Sequence, residues 1–187
     1  MKIINKIMIA GALVTALMSC DKGFIEIQPE GQFLTANYYA DENQAFSALV
    51  GVYDVVRKNS GGFENMITMM NAGSDYQYAG VGGESDGVGI QGFSNYSLNS
   101  VIMPASFWND YYQGIFRANT LLQKISGVEM SADLKKRFTA ETKALRAFYY
   151  FNLEIMFKNI PLLLEPLTAT NMYEVKQATP AEVYTQI

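Results

Sequence analysis

Residues 132–162 read ADLKKRFTAETKALRAFYYFNLEIMFKNIPL, and this stretch decides the fold. Its apolar spacing predicts one long helix over residues 132–157, with Ser131 as the N-cap and Pro161 preventing its continuation. The four consecutive aromatic residues (FYYF) indicate that the C-terminal half of this helix is buried on more than one side. The predicted inward stripe comprises Leu134, Phe138, Glu141, Leu145, Phe148, Asn152 and Ile155.

A second long helix is predicted just before it, over residues 105–126, with Pro104 suited to its start and Gly127 to its end. The two helices would run antiparallel across a short turn and form a hairpin that resembles a tetratricopeptide pair. One such pair cannot bury its own apolar face, so further helices are expected around it. The recurring apolar positions of the second helix are Phe107, Tyr111, Ile115, Ala118, Leu122 and Ile125.

Two further helices are predicted on either side of this hairpin. Asp41 is the predicted N-cap of a helix over residues 42–58, which carries a one-faced apolar stripe. Residues 179–182 (TPAE) form a capping box with proline at the first helical position, and this pattern predicts a fourth helix. The fourth helix has only two turns before Ile187, so we expect the sequence to be part of a longer protein.

Residues 59–103 have a different composition, because nine of the 15 glycines fall between Gly61 and Gly92. The apolar runs here are short, and the run at 66–70 (MITMM) is consistent with one or two weak strands. A long loop inside a compact domain is usually functional or disordered. The aromatic residues embedded in this one favour an ordered, functional loop, and they are Phe63, Tyr76, Tyr78, Phe93 and Tyr96.

The first 19 residues have the features of an export signal. Lys2 and Lys6 precede an uncharged apolar run at 7–18, which is too short to span a bilayer as a helix. The run ends in Leu-Met-Ser-Cys20, which looks like a bacterial lipobox, although a secretory signal followed by a chance cysteine is the alternative. We therefore predict a signal peptide at 1–19, a lipid-modified Cys20 with a tether over 20–35, and a helical region over 36–187.

Composition excludes several classes of function. The chain has no histidine, which excludes Ser-His-Asp and Cys-His nucleophile systems and most zinc sites. Its one cysteine excludes intramolecular disulfides. A net charge of −4 gives it no electrostatic reason to bind nucleic acid. We predict no cofactor and no metal site.

Five segments together resemble the SusD/RagB family of outer-membrane nutrient-binding lipoproteins. They occur in the family's order along the whole chain, and the segment with LRA is the most specific. Thr142 and Lys158 depart from the family pattern, at positions that concern helix geometry. The matching segments are Cys20 with FIEIQP (24–29), ALVGVY (48–53), the set Trp108, Tyr111, Tyr112, Gly114, Ile115, Ala118 and Asn119, the run from Ala140 to Leu162 with LRA at 145–147, and TPAEVY (179–184).

The resemblance implies a mostly helical, tetratricopeptide-like fold of which this chain is roughly the first third. It also implies a lipid-anchored, cell-surface protein that catalyses nothing and works with a TonB-dependent transporter of the SusC type. The resemblance implies that the ligand is a glycan, as is usual in the family, or else a peptide or glycoprotein fragment, and that it binds on loops away from the helical repeats.

The glycine-rich region supplies the candidate ligand-binding residues. Sugars are bound by aromatic platforms with a few amides or carboxylates, and this loop carries both chemistries. The alternative is that these aromatic residues anchor the loop to the helices. The candidates are Asp75, Tyr76, Tyr78, Phe93, Asn95 and Tyr96.

Other patterns have simpler interpretations. Residues 87–92 fit G-x-G-x-x-G by letter, but no strand is predicted before them, so nucleotide binding is rejected. Glu84 and Asp86 do not have the spacing of a calcium loop, and nothing marks a glycosidase pair among the acids. Glu141 and Arg146 are predicted to pair or hydrogen-bond within the helix packing, and Asn119 and Asn152 to make polar contacts between helices. Trp108 is predicted to lie in the core.

We therefore predict a surface protein that captures an oligosaccharide and delivers it to a partner transporter. Two alternatives fit the same residues. One is a non-catalytic scaffold lipoprotein of the transporter complex, and the other is a lipid-anchored hydrolase, which the missing histidines make the weaker of the two.

Overall fold

The computed structural model describes residues 38–59, 65–80 and 82–187, and all structural statements below concern these ranges. The predicted signal peptide (1–19), Cys20 and the tether lie outside them. The helices are α1 Glu42–Arg57, α2 Met66–Ala72, α3 Val88–Ser94, α4 Ala105–Lys124, α5 Ala132–Phe157 and α6 Pro180–Gln186. The described ranges hold no strand beyond two isolated bridges, so the predicted mostly helical fold class is confirmed.

The helix starts follow from their caps. The Asp41 carboxylate accepts a hydrogen bond from the Gln44 N–H at 2.9 Å, and the Ser131 hydroxyl accepts one from the Leu134 N–H. At α6 the Thr179 hydroxyl and the Glu182 side chain cap each other's backbone N–H groups. These bonds satisfy N–H groups that have no partner inside a helix. The capped starts predicted for these three helices are confirmed.

Helices α4 and α5 form the predicted antiparallel hairpin, joined by a 3₁₀ turn over Ile125–Gly127. They approach closely at Gly114, where an added methyl group would lie 2.6 Å from the Tyr149 ring. The Tyr149 side chain is fully buried, and its hydroxyl donates to the Val52 carbonyl of α1 at 2.5 Å. Tyr149 therefore ties three helices together.

Helices α1, α4, α5 and α6 share one apolar core, and we call them the helical body. Burial of these side chains removes apolar surface from water, at about 25 cal/mol per Å², and this is the main term that stabilises the packing. The largest fully buried apolar members are Val52, Val55, Ile115, Leu121, Tyr149, Tyr150, Leu153, Ile160 and Val183.

The structure corrects several predicted details. Residues 66–70 form helix α2 rather than a strand. Helix α4 ends at Lys124 in a 3₁₀ turn, and Gly127 does not adopt the left-handed conformation of a helix stop. The inward face of α5 is rotated from the predicted one, because Phe148 and Ile155 are exposed while the neighbouring tyrosines are buried.

The chain leaves α5 through a sharp turn at Lys158, whose φ is 65°. The exit segment, residues 158–179, then runs over the hairpin without regular structure. The Tyr112 hydroxyl donates to the Pro161 carbonyl at 2.7 Å, and the Tyr150 hydroxyl bonds both the carbonyl and the N–H of Leu163. Buried phenols of the body thus fix the path of this segment. Within the described ranges, none of the helices combines the length and the hydropathy that a membrane-spanning helix requires.

Candidate ligand-binding lobe

Helices α2 and α3 pack together and form, with their connecting segments, a small lobe (residues 65–80 and 82–103). Asn65 starts α2 by accepting a hydrogen bond from the Thr68 N–H at 2.9 Å. The Phe93 and Phe107 rings meet edge to face at 6.1 Å, which joins the small lobe to α4. The small lobe has its own apolar cluster of Met69, Ala72, Ile90, Phe93 and Phe107.

The turn before α3 is held by its own polar groups. The Asp86 carboxylate accepts a hydrogen bond from the Gly82 N–H at 3.0 Å, and the Gln91 amide donates to the carbonyls of Gly83 and Asp86. Gly87 then enters the helix with φ at 57°, a conformation that glycine adopts without strain. Residues 82–87 contain no strand, so the G-x-G-x-x-G letters lack the context of a dinucleotide site.

Three tyrosines of the small lobe expose most of their side chains. Tyr76 is 99% exposed, Tyr78 81% and Tyr96 78%. The Tyr96 hydroxyl donates to the Gly73 carbonyl at 2.8 Å, and its backbone has φ at 55°. This bond connects the end of α3 to the end of α2, three residues before Tyr76.

The other candidate residues divide into two groups. Asp75 and Asn95 are exposed beside the tyrosines, so their polar groups are free to meet a ligand. Phe93 is only 8% exposed and lies in the cluster between the small lobe and α4. The position of Phe93 matches the alternative interpretation, in which an aromatic residue anchors the loop to the helices. The rings of Tyr76 and Tyr78 are exposed and do not anchor it.

This arrangement has the chemistry of a shallow binding surface. Large exposed rings offer flat apolar faces, and a nearby carboxylate, amide and phenol offer hydrogen bonds. No group of three or more Asp, Glu or Cys side chains in the described ranges is placed to hold a metal ion.

The polar residues of the family-like motif lie in the helical body. Glu141 accepts hydrogen bonds from Arg137 at 2.6 Å and from the Tyr53 hydroxyl at 2.9 Å, and the Arg137 bond, with the smaller help of Tyr53, lowers the pKa of this carboxyl. Arg146 donates to the Asn119 side chain at 2.7 Å instead, and its burial lowers its pKa. Of the two predicted arrangements, pairing with each other is wrong and hydrogen bonding within the packing is correct.

The remaining interior predictions have mixed outcomes. Asn119 is buried and accepts a hydrogen bond from Arg146 of α5 at 2.7 Å, so its predicted contact between helices is confirmed. It also donates to the Leu163 carbonyl of the exit segment at 2.8 Å. Among the described residues, Asn152 bonds only the Phe148 carbonyl of its own helix, so its predicted contact between helices is wrong. Trp108 is partly buried and packs at the edge of the core against Tyr112 and Phe157.

Sequence reasoning missed two features of the body. The Glu154 side chain is buried, and it accepts a hydrogen bond from the Tyr184 hydroxyl of α6 at 2.7 Å, which raises the pKa of Tyr184. The second feature is an open groove of about 880 Å³ along the exit segment, walled by residues 162–165 and 174–178. Neither has a local signal, because each depends on how distant segments meet.

Comparisons with known proteins place this geometry in context. A family model described as starch-binding and associating with the outer membrane matches residues 42–187. A curated SusD-like protein of Formosa agariphila is 28% identical over 174 residues, covering 88% of this chain and 32% of the relative.

Solved structures are similar as well. A laminarin-binding SusD-like protein is 58% identical, with a TM-score of 0.75 over 79% of this chain and 32% of that one. Surface glycan-binding protein A from Bacteroides fluxus is 26% identical, with a TM-score of 0.69 over 79% of this chain and 31% of that one. The chain therefore spans about a third of the length of these relatives.

Proposed function

The chain belongs to the SusD-like family, and from this we propose that it is part of a cell-surface protein that binds a glycan through the small lobe. The resemblance to the SusD/RagB family is thereby confirmed. In this proposal Cys20 carries the lipid anchor, and the bound oligosaccharide passes to a TonB-dependent outer-membrane transporter of the SusC type. The protein itself catalyses nothing.

The observation that carries the proposal is the exposure of three tyrosine rings in one lobe. Tyr76, Tyr78 and Tyr96 leave apolar ring faces in water, although this lobe has an apolar cluster of its own in which rings are buried. Sugar rings have apolar C–H faces that cover such rings, and polar rims that suit Asp75 and Asn95. We assign these five residues to the binding surface, with Phe93 supporting it from below.

Laminarin is the first polysaccharide to test, because the 58% identical relative is described as laminarin-binding. We expect a modest affinity per site, since ordering of side chains and loss of bound water offset much of the contact energy. Many sites along one polymer, and many protein copies on one membrane, would raise the overall strength of binding.

The test compares tyrosines that are equally exposed in different places. Replacing Tyr76, Tyr78 and Tyr96 together with alanine should weaken laminarin binding by about tenfold or more, which corresponds to about 1.4 kcal/mol. Isothermal titration calorimetry on the purified protein measures this. Tyr173→Ala is the matched control, because Tyr173 is 86% exposed on the exit segment and should leave binding unchanged.

Equal binding by the triple variant and the parent would rule out the small lobe as the glycan site. A screen of plant, mucin and microbial glycans on affinity gels extends the test to other ligands. Release of sugar products by the purified protein would contradict the absence of catalysis and favour a hydrolase.

One observation favours a scaffold as the second candidate function. Helix α5 presents exposed apolar side chains at Phe148, Phe151 and Ile155, and such faces often mark protein interfaces. A scaffold would co-purify with the transporter and bind no glycan at all. The tyrosine substitutions would then change neither property, which separates the two functions.

A further inference from the structure

Where the small lobe packs on the helical body, one buried hydroxyl group has no hydrogen-bond partner among the described residues. The Ser106 Oγ is the only buried side-chain nitrogen or oxygen of the described residues that makes no hydrogen bond. A buried hydroxyl without a partner costs about 1–3 kcal/mol, so native structures rarely leave one. Ser106 is in the first turn of α4, next to Phe107 of the small lobe's cluster.

Ser106 also lines a small cavity, of about 10 Å³, between the small lobe and the helical body. A cavity of roughly 10–15 Å³ is needed to hold a single water molecule, so this one is about the size of one water. It is lined by Val55, Lys58, Asn59, Met66, Ser106, Phe107, Asp110 and Tyr111.

Polar groups surround this space on more than one side. The Lys58 ammonium donates to one carboxylate oxygen of Asp110 at 2.6 Å, and the Tyr111 hydroxyl donates to the Asn59 side-chain oxygen at 2.9 Å. Within the described ranges, the other Asp110 oxygen and the Asn59 amide N–H groups form no further hydrogen bond, so they are available to a partner. A buried water needs two to four such partners, and this cavity offers them.

We propose that this cavity is a binding site for one structural water molecule, held by the Ser106 hydroxyl and the Asp110 carboxylate. A metal cation is the less suitable occupant, because the Lys58 ammonium already neutralises Asp110 at the same place. A dry cavity is expected only where the lining is apolar, and this lining is not.

The bound water connects the two parts of the protein. Val55 and Tyr111 belong to the core of the helical body, whereas Phe107 belongs to the cluster of the small lobe. Met66 begins α2 and also lines the cavity. The water therefore fixes the start of the small lobe against α1 and α4, whether or not this lobe binds a glycan.

A high-resolution crystal structure of the purified protein tests the site directly. We expect one ordered water within hydrogen-bond distance of both the Ser106 Oγ and an Asp110 carboxylate oxygen. An empty cavity, a metal ion in it, or a direct bond from the Ser106 hydroxyl to another protein group would overturn the proposal.

Substitution tests the coupling to the small lobe. Ser106→Ala should lower the melting temperature by about 2–4 °C and speed amide hydrogen exchange in residues 66–72. Ser47→Ala is the matched control, because Ser47 is exposed on α1, and it should change neither. If the two variants behave alike in both measurements, the water does not hold the lobe and the inference is wrong.

Discussion

The helical body and residues 76–78 of the small lobe use tyrosine in opposite ways. In the body, Tyr111, Tyr149 and Tyr150 are buried, and Tyr149 and Tyr150 donate their hydroxyl protons to backbone carbonyls of other segments. In the small lobe, Tyr76 and Tyr78 point their rings into water, and their hydroxyls form no hydrogen bond within the part of the chain that the structure describes. The first set holds segments together, and the second is available to a ligand.

This difference shows that the same residue type serves stability in one region and recognition in another. A buried phenol needs a partner for its hydroxyl, because an unpaired one costs free energy. An exposed ring needs no partner, but it contributes little to folding. Changes at the two sets should therefore separate stability from binding.

The largest effect is expected at high pH, where the body tyrosines lose their protons. Burial raises the pKa of Tyr111 and of Tyr150 to about 12, and it raises the pKa of Tyr112 and Tyr149 as well. The folded state thus keeps protons that the unfolded chain releases near pH 10. Stability should be complete below pH 10 and should fall as pH rises from 10 towards 12.

Circular dichroism and tyrosinate absorbance, followed together against pH, measure this effect. Loss of helix should coincide with ionisation of the buried set. Tyr78→Phe should leave the helical transition at the same pH as in the parent. Ionisation of Tyr111, Tyr112, Tyr149 and Tyr150 near pH 10 with the helices intact would contradict the buried role of this set.

An intermediate effect is expected from two glycines in helices of the body. Gly114→Ala places a methyl group 2.6 Å from the buried Tyr149 ring, and such overpacking costs about 1–3 kcal/mol. Alanine gains up to about 1 kcal/mol of helix propensity at either position. Gly51 in α1 has open space around it, so Gly51→Ala should stabilise the protein while Gly114→Ala destabilises it.

Urea unfolding of both variants checks the opposite signs. The Tyr149 ring cannot move aside easily, because its hydroxyl is bonded to Val52. Equal stabilisation by the two substitutions would show that α4 and α5 can accommodate the added methyl group at Gly114 without a loss of folding free energy.

The smallest effect on stability is expected in the small lobe. Tyr76→Ala removes a side chain that is 99% exposed, so the free energy of unfolding should change by less than about 0.5 kcal/mol. Thermal unfolding measures it, alongside the laminarin titration. A decrease in the free energy of unfolding of more than about 1 kcal/mol would show that Tyr76 stabilises the fold as the body tyrosines do. This result would contradict the division between stabilising and ligand-binding tyrosines.

The sequence predicted the long helices well because their signals are local and repeated. Asp41, Ser131 and Thr179 cap helices where expected, and the long helices α1, α4 and α5 have several turns of apolar spacing. Helices α2 and α3 have seven residues each, too few to show a period. A short apolar run such as 66–70 fits a buried strand and a buried helix equally well.

Two features were harder to predict: which face of α5 is buried, and which residues of the candidate site are exposed. When apolar residues surround a helix, the sequence alone does not say which side faces the core, and Phe148 was placed inward although Tyr149 is the buried neighbour. In the small lobe, the sequence indicated which aromatic residues are present but not which of them are exposed. Phe93 and Tyr96 are three residues apart in the chain, yet Phe93 is buried and Tyr96 is exposed, and this difference arises from tertiary packing.

The exit segment is held mainly through its main chain. Buried and partly buried side chains of α4 and α5 bond the carbonyls of Pro161, Leu163 and Glu165, and none of these bonds depends on which side chain the segment carries. Leu164 and Glu165 are exposed beside the groove. The side chains that line this groove can therefore be replaced, and its chemical character changed, while the backbone of the exit segment keeps its position.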